Sequence, residues 1–147
     1  MTQIQPVKLS IPSDSKYLSL IRTVLKHLLS YYEVQDDIVR KLVLCVDEAC
    51  SNIIKHSYRG LCTEPIDLSF EIDNGNFIVK IHDYGKQCDT QKFKHRPLDE
   101  LKPGGLGTFF INEIMDTVKY CTKREKGTLL TMTKKLSGSA RSKVTTE

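Results

Sequence analysis

The stretch Ile66-Asp67-Leu68-Ser69-Phe70-Glu71-Ile72-Asp73-Asn74-Gly75-Asn76-Phe77-Ile78-Val79-Lys80-Ile81-His82-Asp83 decides the fold class. Ile66, Leu68, Phe70 and Ile72 alternate with polar residues, as do Phe77, Val79 and Ile81, which is the period of a strand with one buried face. Between the two runs, Asn74-Gly75 carries the signature of a tight hairpin. Residues 66 to 83 are therefore expected to form an antiparallel pair. A hairpin is not a parallel crossover, so a right-handed Rossmann alternation of strands and helices is disfavoured.

Upstream of the hairpin, Val7, Leu9 and Ile11 alternate into a short first strand that Pro12 closes. A helix follows, with Ser13 or Asp14 as its cap and Tyr17, Leu18, Ile21, Val24, Leu25 and Leu28 at helical spacing, leaving Arg22, Lys26 and Ser30 on other faces. Asp36 or Asp37 can cap a second helix in which Ile38, Leu42, Cys45, Ala49 and Ile53 keep one face buried. Downstream, residues 86 to 103 lose all periodicity and read as a mobile flap, too long and too polar for an ordinary connection. Phe110, Ile111, Ile114, Met115 and Val118 then suggest a third amphipathic helix, and residues 119–122 and 128–135 a closing hairpin around Gly127. Residues 137–147 lack a core and are expected to be disordered, which leaves one domain over 1–136. The expected fold is α+β: a two-layer sandwich with one mixed, largely antiparallel sheet covered on one face by three helices.

At 147 residues the chain can bury a core without disulfides or metal. Its 39% hydrophobic and 27% charged content is ordinary for a soluble domain, and no apolar run is long enough to span a bilayer. With no basic-apolar-small signal segment at the start, the reading is a cytoplasmic protein with no membrane partner. The five cysteines are an odd number without a C-x-x-C pair, so neither a zinc cage nor a disulfide framework is encoded. A net charge of +4 is too modest to argue for direct nucleic-acid binding.

The chemistry concentrates in three places. In the second helix, Glu48 and Asn52 stand at i, i+4 and project from one face. Asn52 can offer a carbonyl oxygen to a hard cation such as Mg²⁺, while Glu48 can orient or deprotonate a hydroxyl beside it. Taken alone, the pair reads first as the polar edge of an amphipathic helix, since i, i+4 polar pairs are common on solvated helix faces. After the hairpin, Asp83-Tyr84-Gly85 sets a carboxylate at a strand end, where it can accept from the exocyclic amine of a base while Gly85 lets the backbone come close. Later, Lys102-Pro103-Gly104-Gly105-Leu106-Gly107-Thr108 leads into an apolar helix, and backbone N–H groups at such a helix start suit phosphate. Each motif alone is weak, but the ordered set is specific.

That ordered set resembles the ATPase superfamily that unites gyrase, the large heat-shock chaperone, MutL mismatch-repair proteins and histidine kinases. The short form, with Glu48-Ala49-Cys50-Ser51-Asn52, His56-Ser57-Tyr58, Gly104-Gly105-Leu106-Gly107 and Met115-Asp116, is similar to the bacterial anti-sigma-factor serine/threonine kinases of partner-switching modules, and the likeness spans roughly residues 5 to 136. The resemblance implies the same sandwich fold, with ATP and Mg²⁺ as ligands. It implies Glu48 as catalytic base toward a substrate serine or threonine, Asn52 as Mg²⁺ ligand, and Asp83 as acceptor for the adenine amino group, with Gly85 permitting the turn. Gly104, Gly105, Gly107 and Thr108 would cradle the phosphates, and Lys102 would reach the γ-phosphate. Thr128 either helps hold adenine or is a surface-strand threonine. His56 at the helix end reads as a capping or dipole partner rather than a catalyst. Arg22, off the apolar stripe and free to face outward, would contact the two implied partners, a sigma factor and an anti-sigma-factor antagonist. Relatives of this kind are commonly homodimers, and the first strand offers an edge for pairing. The alternative class is a nucleotide-gated binding module with little or no phosphotransfer, which has no need of a base at Glu48.

Overall fold

The structure is a computed structural model that describes residues 5–58, 64–85, 106–122 and 127–136. Its central hairpin joins β2 (Pro65–Asp73) to β3 (Asn76–Asp83), with Asp73 opposite Asn76. Asn74 and Gly75 take φ of 51° and 79°, the paired left-handed conformations that match the twist of the flanking strands. The remaining strands, β1 (Val7–Pro12), β4 (Thr117–Cys121) and β5 (Thr128–Lys135), complete a five-stranded sheet of order β1-β2-β3-β5-β4. Every pairing among these described strands is antiparallel, so the largely antiparallel sheet read from the sequence has no parallel component here.

Alternation assigns the two faces. Ile66, Leu68, Phe70 and Ile72 of β2, Phe77, Val79 and Ile81 of β3, and Leu130 and Met132 of β5 are buried, while Asp67, Ser69, Lys80 and His82 occupy the alternate positions. Three helices, α1 (Leu18–Ser30), α2 (Asp36–Asn52) and α3 (Leu106–Ile114), cover the apolar face. From α1 come Ile21, Leu25 and Leu29, each fully buried side chain stabilising the fold by about 1.5–3 kcal/mol relative to exposure. Leu29 was not on the expected stripe, and Leu28 is only partly buried. From α2 come Leu42, Val43, Cys45, Val46, Ala49 and Cys50.

The helix boundaries differ in instructive ways. Asp14 accepts from Lys16 N–H at 3.0 Å but caps a short 3₁₀ turn over Ser15–Tyr17, and α1 begins only at Leu18. Asp36 and Asp37 lie inside the first turn of α2, after an N-cap Gln35 that makes no side-chain bond, so they act on the helix dipole and not as caps. The third helix ends at Ile114. Asp116 N–H donates to Thr133 carbonyl at 2.8 Å and pulls the chain into the sheet, so Val118 pairs with Met132 in β4 instead of extending the helix. The flap over residues 86–103 and the tail over 137–147 lie outside the described residues. Among the described residues no helix is long and apolar enough to cross a membrane.

Candidate functional site

The site is built where α2 ends, α3 begins and β3 stops. Packing of Ala49 and Ile53 into the core leaves Glu48 and Asn52 on the margin of α2, both half-buried, facing α3. At Gly107 in the first turn of α3, an added Cβ would lie 2.1 Å from Glu48 Oε2 and 2.6 Å from its carboxyl carbon. A larger residue there would force that carboxylate, the flexible end of Glu48, to move aside. One turn along α2, Asn52 Nδ2 donates to Thr108 Oγ1 at 3.3 Å, which commits its amide nitrogen and leaves Oδ1 as the oxygen open to a cation. Thr108 itself is 5% exposed. Among the described residues no three His, Cys, Asp or Glu side chains gather as a metal cage. The donor set fits Mg²⁺, which is ordinarily held by one or two protein oxygens and completed by substrate phosphates and water.

Beyond Asn52 the helix widens into a π turn over Ile53–Ser57, closed by Tyr58 N–H donating to Ile53 carbonyl at 3.0 Å. The widening brings Ser57 and Tyr58 against the end of β3. Asp83 is 3% exposed, and its Oδ1 accepts from Gly85 N–H at 3.0 Å. Burial pushes its carboxyl above the ordinary range; the Gly85 amide, the His82 charge and a bond from the Ser57 hydroxyl act in the opposite direction. An added Cβ at Gly85 would stand 2.6 Å from Ser57 carbonyl oxygen, and one at Gly127, where φ is +80°, would stand 1.8 Å from Asp83 carbonyl oxygen. The Asp83-Tyr84-Gly85 corner is thus gripped from both sides at backbone distance.

A cavity opens between these elements, lined by Ala49, Asn52, Ile53, His56, Ser57, Asp83, Ile111, Tyr120, Thr128 and Leu130. Its apolar walls with one buried carboxylate suit a flat heterocycle carrying an amine. Of the residues singled out in the sequence, Asn52, Asp83 and Thr128 meet at this cavity, and Glu48, Gly107 and Thr108 meet at its α3 side; Gly85 backs the corner. Lys102, Gly104 and Gly105 lie outside the described residues. His56, read as a helix-end residue, lines the cavity and is exposed. Ser57, quoted only as part of the motif His56-Ser57-Tyr58, and Tyr120 were given no site role, because nothing in the local pattern shows that a π turn and a fourth strand converge on Asp83.

Arg22 is not free. Its Nη1 pairs with Asp47 Oδ1 at 2.5 Å, with the two side chains 40% and 24% exposed. Asp47 therefore turns toward α1 while its neighbour Glu48 turns toward α3. Cys45 and Cys50 are buried core thiols: burial pushes Cys45 up to about 12, Lys134 opposing and Glu48 adding, and burial raises Cys50 as well. Of the other histidines, His27 shares a 2.9 Å hydrogen bond with Tyr31, and His82 lies on the face away from the helices with its ring 4.2 Å from that of Tyr84.

Residues 11–134 match the family model of the histidine kinase-like ATPase domain, and the chain belongs to that family of ATP-dependent enzymes. Among its relatives is the serine-protein kinase RsbW of Staphylococcus aureus, 32% identical over 141 residues that span 87% of this chain and 85% of the relative. Another is the serine-protein kinase RsbW of Halalkalibacterium halodurans, 28% identical over 140 residues, 90% of this chain and 84% of that one. The crystal structure of RsbU and RsbW domains from Mycobacterium tuberculosis shares the fold at a TM-score of 0.68 and 15% identity, over 92% of this chain but 33% of that longer one. A histidine kinase domain from a blue-light activated kinase of Erythrobacter litoralis shares it at a TM-score of 0.53 and 15% identity, over 94% of this chain and 67% of that one.

Proposed function

We propose that this chain is a protein-serine/threonine kinase and anti-sigma factor, which binds Mg-ATP, sequesters a sigma factor and phosphorylates an anti-sigma-factor antagonist. The observation that carries the reading is Glu48, whose carboxylate is seated against Gly107 one turn from Asn52 and beside the cavity. A pure nucleotide sensor needs no base at that place. In the transfer, Glu48 takes the proton of the substrate hydroxyl as that oxygen attacks the γ-phosphorus. The bond from γ-phosphorus to the β–γ bridging oxygen breaks, ADP leaves with that oxygen, and Glu48 returns its proton to solvent.

The other residues bind and orient. Asp83 accepts from the adenine amino group and disfavours guanine, whose oxygen at the same position is itself an acceptor. Thr128 assists at the base, and Gly85 keeps the corner tight. Gly107 and Thr108, with Gly104, Gly105 and Lys102, hold the phosphates. Asn52 Oδ1 would hold Mg²⁺, which when bound offsets phosphate charge. Arg22 contacts both protein partners in turn, and β1, an edge strand of the sheet, supports homodimer pairing. The reading locates the protein in the cytoplasm, without direct contact to nucleic acid or membrane.

The test is radiolabelled ATP incubated with the chain and a candidate antagonist. Glu48→Gln is expected to keep nucleotide affinity and to lower transfer by about 10²–10⁴. Transfer at the wild-type rate would remove Glu48 as base. Nucleotide binding with no transfer by the wild type would favour the nucleotide-gated binding module.

A further inference from the structure

Tyr58 is 4% exposed, yet its hydroxyl makes two bonds: it accepts from Tyr84 N–H at 2.8 Å and donates to Pro65 carbonyl at 2.7 Å. The place of these bonds in the sheet is informative. The β2–β3 ladder ends at Asp67 opposite His82, and continuing its register by two residues would set Pro65 opposite Tyr84. The phenol hydroxyl is therefore inserted into the open end of that ladder, relaying Tyr84 N–H to Pro65 carbonyl where the strands no longer bond directly. On its other side β3 keeps its partner as far as Asp83 opposite Thr128. Tyr58 thus wedges β2 away while β5 holds on, at the residue whose carboxylate enters the cavity. Its neighbour Ser57 completes the grip, since it lines the cavity together with Asp83 and its carbonyl backs Gly85, where an added Cβ would stand 2.6 Å away.

We propose that Ser57 and Tyr58 are positioning residues for nucleobase specificity: they set the direction in which Asp83 presents its carboxylate, and so how strongly the pocket prefers a purine with an exocyclic amine over one without. The inference rests on the reading of Asp83 as acceptor for that amine. The π turn that delivers both residues is part of the device, because the i→i+5 closure at Tyr58 brings two consecutive side chains to one strand end.

The experiment measures calorimetric affinity for ATP and for purine riboside triphosphate, which lacks the amino group, together with Tm, in wild type, Tyr58→Phe and Ser57→Ala. Wild type is expected to prefer ATP by about tenfold or more, the scale of one hydrogen bond to a charged acceptor. In Tyr58→Phe, which keeps the ring, that ratio is expected to shrink toward one. If both affinities fall together and the ratio stays at the wild-type value, Tyr58 only fills space and the inference is overturned. Should Tyr58→Phe not fold, Ser57→Ala carries the same readout, and an unchanged ratio there is equally fatal. A wild-type ratio of one overturns the Asp83 reading and this inference with it, whereas a wild-type preference that the variants retain overturns the inference alone.

Discussion

Asp83 shows at the scale of a single residue how a proposed binding role and stability pull apart. Buried at a strand end, its carboxyl is held above the ordinary range by desolvation, against the Gly85 and Ser57 donors. Between the ordinary value of 3.8 and that raised value, the native state binds more protons than the unfolded chain, so Asp83 makes stability fall as pH rises through the window and recover as pH drops. As pH rises through that window the buried carboxyl therefore becomes a cost to stability. Asp83→Asn keeps an acceptor oxygen for Gly85 and Ser57 without the charge. It is expected to raise Tm at pH 7, to flatten the pH dependence of Tm in that window, and to weaken ATP binding about tenfold. Thermal scans from pH 4 to 7 and ATP calorimetry check it; a lowered Tm at pH 7 would mean that the charge is stabilising after all. Glycine at 85 and 127 was legible only as a turn signal in the sequence, since the atoms each would strike, Ser57 and Asp83 carbonyl oxygens, come from other elements.

At the scale of elements, the decisive contact is between α2 and α3. Gly107 leaves the space that Glu48 fills, so the two positions are expected to be strongly non-additive. Gly107→Ala should cost about 1 kcal/mol of stability at most, because only the flexible end of Glu48 has to move, and should reduce phosphate transfer by displacing the carboxylate proposed as base. In a Glu48→Ala background the same substitution should cost little, because the clashing carboxylate is gone. Denaturant titration of the two single variants and the double variant measures this, and additive losses would show that the clash is relieved elsewhere. The apolar periodicity marked α3 correctly from Phe110 to Ile114, but it ran on through Val118. The sheet overrode it there, because Asp116 bonds Thr133 carbonyl and Thr117 and Val118 suit a strand.

For the whole molecule, the Arg22–Asp47 pair joins the first helix to the residue beside Glu48. Such a half-exposed pair is worth at most about 1 kcal/mol, so a partner carboxylate with good geometry can displace Asp47. Arg22→Ala is expected to weaken binding of both sigma factor and antagonist while leaving ATP affinity intact. Asp47→Asn, which releases the guanidinium, is expected to strengthen both by no more than about fivefold. Pull-down or calorimetry against each partner decides it, and unchanged affinities in Arg22→Ala would move the binding face away from α1.

The sequence by itself determined the sandwich: alternation over 66–83 around Asn74-Gly75 dictated the hairpin, helical spacing dictated the covering layer, and the ordered set of Glu48, Asn52, Asp83 and the glycine run carried the resemblance to an ATP-dependent family. These are local patterns, and local backbone geometry reads them directly. Only the tertiary structure decided that Asp47 faces Arg22 while Glu48 faces Gly107, that His56 and Ser57 enter the cavity, and that Tyr58 splits the strand ends beside Asp83. Each of those depends on which distant element packs against a given side chain, and one chain's periodicity carries no record of its neighbours in space.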